Sequence, residues 1–178
     1  MTRYRVRVQQ RPLGRSGMWV GRFALGTMTW GRGTDIDEAR DQLAMFIDAD
    51  GSLIDTADVY AEGRSEEILG ELITEFGVRD QVVIATKAGS RPGPIRRFDT
   101  SRGHLLDALD RSLRRLQTDH VDLWQLHAWD PATPMEEALA AIDEAVRSGR
   151  VRYAGISNYA GWQAARAATW QRALPGRT

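Results

Sequence analysis

Five short apolar runs in this chain each end in a polar residue, and the ends fall at regular intervals. Thr27, Asp55, Lys87, His127 and Ser157 stand 28, 32, 40 and 30 residues apart. Each interval has room for one strand and one helix, and successive βα units imply parallel strands with helices packed outside them. A doubly wound sheet is disfavoured, because no Gly-x-Gly-x-x-Gly turn follows any of the runs. Polar residues at the C-terminal ends of several strands suit a (β/α)8 barrel instead, where reactive groups sit on that rim. The expected fold class is therefore α/β, a partial (β/α)8 TIM barrel with five parallel βα units.

The segments between these ends carry helical periodicity. After the run Phe23-Ala24-Leu25-Gly26-Thr27-Met28, Asp35 and Glu38 have the spacing of a capping box. Ala39, Leu43, Phe46 and Ile47 then mark one helical face. Behind Leu53-Ile54-Asp55 a second face is formed by Ile68, Leu69, Leu72, Ile73 and Phe76. The run at 82–87 leads through a Gly/Pro-rich loop, 89–94, into a helix bearing Leu105, Leu109, Leu113 and Leu116. After the strand at 121–127, Thr133 is expected as N-cap, Pro134 as the first helical residue and Glu136 as the closing member of a capping box. A strand at 151–157 and a helix at about 162–172 complete the series. Near the start, the alternation Tyr4-Arg5-Val6-Arg7-Val8 reads as a one-sided strand.

Composition narrows the function classes. The 24 acidic and 24 basic residues cancel, so no global field draws the chain to nucleic acid or to an anionic membrane. No apolar stretch reaches the length of a membrane span, and the N-terminus lacks the apolar core of a signal peptide. Cysteine is absent, which removes disulfides and thiolate chemistry and points to the cytoplasm. No cluster suggests a metal site, and His104 and His120 read as solvated. Of the 24 basic residues, 23 are arginine and one is lysine, Lys87 at the end of the third run. A chain that uses arginine everywhere else keeps one compact ammonium where a guanidinium fork does not substitute.

Five motifs then converge. Gly51-Ser52-Leu53-Ile54-Asp55-Thr56-Ala57-Asp58-Val59-Tyr60, followed by Ser65-Glu66-Glu67 and Gly70, resembles the first motif of the aldo-keto reductase family. Ile84-Ala85-Thr86-Lys87 resembles its lysine-bearing strand, Val121-Asp122-Leu123-Trp124-Gln125-Leu126-His127 its fourth strand, and Gly155-Ile156-Ser157-Asn158-Tyr159 its fifth. Leu13-Gly14-Arg15-Ser16-Gly17 is similar to the hairpin that plugs the barrel bottom in bacterial members. The resemblance divides the chain into an N-terminal extension and hairpin, 1–22, and the βα units, 23–178. It implies an NADP(H)-dependent oxidoreductase that reduces an aldehyde or ketone, a small-molecule carbonyl, by hydride transfer with a tyrosine as proton donor. Free tyrosine titrates near 10, too high for proton exchange near neutrality, and an adjacent ammonium favours the phenolate.

By this resemblance Tyr60 is the donor, Lys87 its cation, Asp55 the carboxylate that holds Lys87, and His127 the group that orients the carbonyl. Thr27, Met28, Ser157 and Asn158 match cofactor-binding positions, the last two gripping the nicotinamide carboxamide. Trp30 and Trp129 are candidates for the substrate pocket, with core or rim packing equally open for either. Asp50, Ala61 and Gln117 stand where relatives often place glycine, and at a helix C-terminus such as the one before Gln117 a non-glycine in the left-handed conformation costs about 1 kcal/mol. The resemblance accounts for five of eight strands; the groups that clamp the cofactor's pyrophosphate and 2'-phosphate belong mostly to the others. The chain is thus expected to be a fragment or truncated copy that self-associates through open sheet edges rather than an active monomer. The alternative is a non-catalytic module resembling the potassium-channel beta subunits.

Overall fold

The computed structural model describes residues 7–91, 93 and 96–173. Its element order is β1 (Gln10–Pro12), β2 (Trp19–Gly21), β3 (Ala24–Gly26), α1 (Ile36–Asp48), β4 (Leu53–Asp55), α2 (Arg64–Phe76), β5 (Val83–Ala88), α3 (Arg102–Arg115), β6 (Val121–Leu126), α4 (Met135–Arg147), β7 (Val151–Ile156) and α5 (Gly161–Ala173). Strands β3 to β7 form one sheet in sequential order, and every neighbouring pair is parallel. The βα spacing thus yields the expected barrel segment, with one helix after each strand. Strands β1 and β2 form an antiparallel hairpin. The alternating segment at 4–8 falls mostly outside the described residues. Within them, the Arg7 guanidinium pairs with Asp50 at 3.0 Å and the Val8 amide donates to the Ala49 carbonyl.

Alternation along the strands separates two cores. On the helix side, Ile54, Ile84, Trp124 and Leu126 pack with Leu43, Leu69, Leu72, Leu105 and Leu109. On the inner side, Leu53, Val83, Ala85 and Leu123 meet Met18 and Val20 of the hairpin, which therefore covers the bottom of the sheet. Burial on the helix side is close to complete, and it supplies most of the apolar area removed from water.

Asp35 caps α1 as expected, accepting from the Asp37 and Glu38 amides while Glu38 reaches back to the Asp35 amide. The start of α4 differs. Pro134 occupies the N-cap position with no side-chain cap, and Thr133 donates its hydroxyl to Asp130 at 2.7 Å instead. The Thr133 oxygen accepts from Arg96 Nη2 at 2.8 Å, and the helix begins one residue later than expected, so the box does not form. His104 is also not solvated: it is half-buried, with Nε2 sequestered without a partner among the described residues, and burial lowers its pKa. His120 is half-buried too, with Nδ1 2.6 Å from Asp119.

Asp50, Ala61 and Gln117 all adopt positive φ (59°, 48° and 53°), and Glu62 and Asn158 do so as well. Each non-glycine residue there costs about 1–2 kcal/mol. Gly70 answers a different need. A Cβ at this position would lie 2.4 Å from the Arg115 carbonyl oxygen, so glycine is what lets the end of α3 rest on α2. Gln117→Gly should therefore raise the thermal midpoint by about 2–4 °C. Gly70→Ala should lower it by more than that gain. Melting curves of the two variants against the parent check both signs.

Candidate active site

Parallel pairing puts the ends of β4, β5 and β6 side by side, with Asp55 registered to Ala85 and Lys87 to Gln125. Lys87 is 7% exposed. Its Nζ donates to Asp55 Oδ2 at 2.7 Å, to the Thr56 carbonyl at 2.8 Å and to the Tyr60 hydroxyl at 3.4 Å. A short 3-10 turn, Tyr60–Gly63, carries the tyrosine into this position. The Tyr60 ring stands edge-on to His127, with centroids 5.9 Å apart. Asp55, Tyr60, Lys87 and His127 thus meet at the C-terminal rim.

His127 follows β6, and its amide donates to the Ala88 carbonyl at 2.8 Å. Burial and the Lys87 ammonium lower its pKa, with Asp55 opposing, so the ring is neutral near pH 7. A neutral imidazole can donate one N–H to a carbonyl oxygen without adding a second cation beside Lys87. Tyr159 is not a competing acid. Burial, together with the negative charge of Asp130, pushes it up to about 12.

The other expected residues divide. Asn158, in left-handed backbone, donates from Nδ2 to the His127 carbonyl (2.8 Å) and to Ser157 Oγ (3.1 Å), and lies exposed at the rim. The amide nitrogen is thereby committed within the chain. Met28 is also exposed. Thr27 does not present its side chain. It is fully buried, with its hydroxyl bonded to Ser65 Oγ at 2.8 Å and to the Asp55 carbonyl. Trp30 is a correction as well. It is completely buried in the helix-side core, its indole N–H satisfied by Gln42 at 2.9 Å, so it lines no open pocket. Trp129 stays near the rim, in edge contact with Tyr159 and Trp162.

Two carboxylates escaped the sequence reading. Burial by itself would raise the pKa of Asp130, but donors from the Thr100 and Ala132 amides, the Thr133 hydroxyl and Arg96 bring it down to about 2. It ties the loop after β5 to the loop after β6 that carries His127 and Trp129. Asp58 lies in the loop between Asp55 and Tyr60, and its amide donates to the Lys87 carbonyl. Its Oδ1 is buried without a hydrogen-bond partner among the described residues, and burial plus the charge of Glu66 raise its pKa to about 7. The signal for it was available as a second aspartate inside the motif, three residues past the first.

Residues 22–174 match the profile of the Aldo/keto reductase family. The chain belongs to that family. Aldo-keto reductase YhdN of Bacillus subtilis is 39% identical over 145 residues, 81% of this chain and 44% of the relative. The probable voltage-gated potassium channel subunit beta of Arabidopsis thaliana is 36% identical over 88% of this chain and 48% of its own length. The solved holo structure of aldo-keto reductase AKR11C1 from Bacillus halodurans superposes with a TM-score of 0.76 at 34% identity, covering 85% of this chain and 50% of that one. The chain spans about half the length of the relatives it matches. No helix among the described residues is long and apolar enough to cross a membrane.

Asp58 generates a pH prediction. Unfolded, it releases its proton near 3.8; folded, near 7. Between those values the folded state holds the extra proton, so this group makes stability fall as pH rises from about 4 to 7, by on the order of 2–4 kcal/mol, and level off above. Asp58→Asn removes that slope. Urea unfolding at pH 4.5 and pH 8 should show the variant gaining on the parent at the higher pH.

Proposed function

We propose that this chain supplies the proton-transfer and carbonyl-orienting half of an NAD(P)H-dependent carbonyl reductase, acting on a small aldehyde or ketone. The observation that carries the reading is the position of the only lysine in the sequence. It is buried, held by one carboxylate, and within 3.4 Å of a tyrosine hydroxyl. When bound, the nicotinamide supplies a hydride to the carbonyl carbon. Tyr60 donates its hydroxyl proton to the carbonyl oxygen as negative charge builds there. The ammonium of Lys87 stabilises the phenolate left behind, and Asp55 keeps that ammonium charged and aimed. His127 holds the carbonyl oxygen within reach by an N–H donor.

Ser157, Asn158 and Met28 are the side chains here that would hold the nicotinamide end; Thr27, buried with its backbone groups bonded internally, supports the end of β3 behind them. NADPH rather than NADH is the preferred form in this reading. The remaining cofactor contacts, and the partners of the edges of β3 and β7 that carry no neighbouring strand among the described residues, come from structure that closes the sheet, including a second copy of the chain. Trp129 forms part of the substrate wall. We place the reaction in the cytoplasm on the cysteine-free composition.

A non-catalytic module akin to the channel-subunit relatives is the other reading. Nothing in a purely docking role calls for a buried ammonium against a tyrosine hydroxyl. In the polypeptide carrying this segment, Tyr60→Phe and Lys87→Arg should each lower kcat/KM for carbonyl reduction by about 10²–10⁴-fold. NADPH and NADH oxidation followed at 340 nm with an aldehyde panel measures this. Equal turnover by parent and both variants would remove the reductase reading.

A further inference from the structure

Behind the rim lies a charged pair that the proposed chemistry does not use. Glu66, in the first turn of α2, is fully buried. Its Oε2 accepts from Arg115 Nε and lies 2.7 Å from Arg115 Nη2, and its Oε1 accepts the Thr86 hydroxyl at 2.6 Å. Thr86 precedes Lys87 on β5, so this carboxylate is fastened to the strand that delivers the ammonium. Arg115 is the last residue of α3 and reaches Glu66 because Gly70 lets the two helices meet.

The same guanidinium serves the tyrosine. A Cβ on Gly63 would stand 2.9 Å from both Cδ and Nε of Arg115, so the arginine lies flat against that glycine. Gly63 closes three consecutive left-handed residues, Ala61, Glu62 and Gly63, with φ of 48°, 58° and 98°. They follow Tyr60 directly. A turn of this kind does not hold its own shape, because only glycine adopts it without strain. It needs a support, and Arg115 packs against its last residue, Gly63.

We propose that Arg115 is a positioning residue for the Tyr60–Lys87 pair, fixing the tyrosine through Gly63 and the lysine through Glu66 and Thr86. The proposal rests on the reading of Tyr60 as proton donor and Lys87 as its cation. Its test, however, reads geometry and needs no turnover. Because the sequence contains one lysine, growth on 13Cε-lysine places a single label beside the Tyr60 ring, whose centroid lies 5.1 Å from Nζ.

Tyr60→Leu removes the ring and sets the shift that marks its loss. In folded Arg115→Met, the lysine signal should move most of the way to that position or split into several. Arg114→Met, at the exposed neighbouring residue, should leave it in place. Arg115→Met alone strands a buried carboxylate and is liable to unfold. The double variant Arg115→Met with Glu66→Gln leaves no unpaired charge, and the same displacement is expected in it. A folded single or double variant whose lysine signal stays at the parent position, whatever its thermal midpoint, overturns the proposal and makes the pair a fold-stabilising contact only. A displaced signal in a chain that never reduces a carbonyl upholds the positioning and removes the reductase reading instead.

Discussion

A buried ammonium constrains this structure more than any other single group. Removing a lysine charge from water costs several kcal/mol unless hydrogen-bond partners replace the lost hydration. Lys87 meets that demand with Asp55 Oδ2 and the Thr56 carbonyl, both on or just past β4. The β4–β5 register is therefore fixed twice, once by the backbone ladder and once by this charge. A slip of one residue would turn Lys87 into the helix-side core and Thr86 toward the rim. Both faces of β5 would then fail together, since Thr86 is needed by Glu66 on the opposite side.

Electrostatics at the rim follows from how each group is surrounded. Asp130 sits among donors and stays ionised; Asp58 sits beside another carboxylate and keeps its proton to about pH 7. The first acts as a tie between loops, and the second is held neutral through most of the acid range by its burial and by the charge of Glu66. His127 remains uncharged because it is buried near a cation. These assignments leave a single positive charge at the centre of the candidate site.

Much of this was legible in the sequence, and the reason is periodicity. Strand ends spaced by one βα unit, apolar faces at helical intervals and the Asp35–Glu38 box are local patterns that the fold kept. The left-handed backbone at Gln117 was legible too, from a glycine-like position after a helix. What failed was decided by distant partners. Thr133 looks like an N-cap until Arg96 and Asp130, from other parts of the chain and the preceding loop, engage its hydroxyl and α4 starts one residue later. Trp30 looks like a rim aromatic until Gln42 on α1 accepts its N–H and closes it into the core. His104 reads as a solvated helix start, yet it ends up half-buried. The Glu66–Arg115 pair joins residues 49 apart, and nothing in the run Ser65-Glu66-Glu67 says which glutamate turns inward.

The burial of Lys87 has a consequence for the chemistry of this chain. Every other basic side chain except the three histidines is an arginine, so the surface offers no lysine amine to acylating, glycating or alkylating reagents. Modification chemistries that ordinarily scatter over many lysines would find one ε-amine here, shielded behind Asp55 and Tyr60. Wherever such a reagent does couple to a lysine of this chain, it has also neutralised the cation of the candidate site.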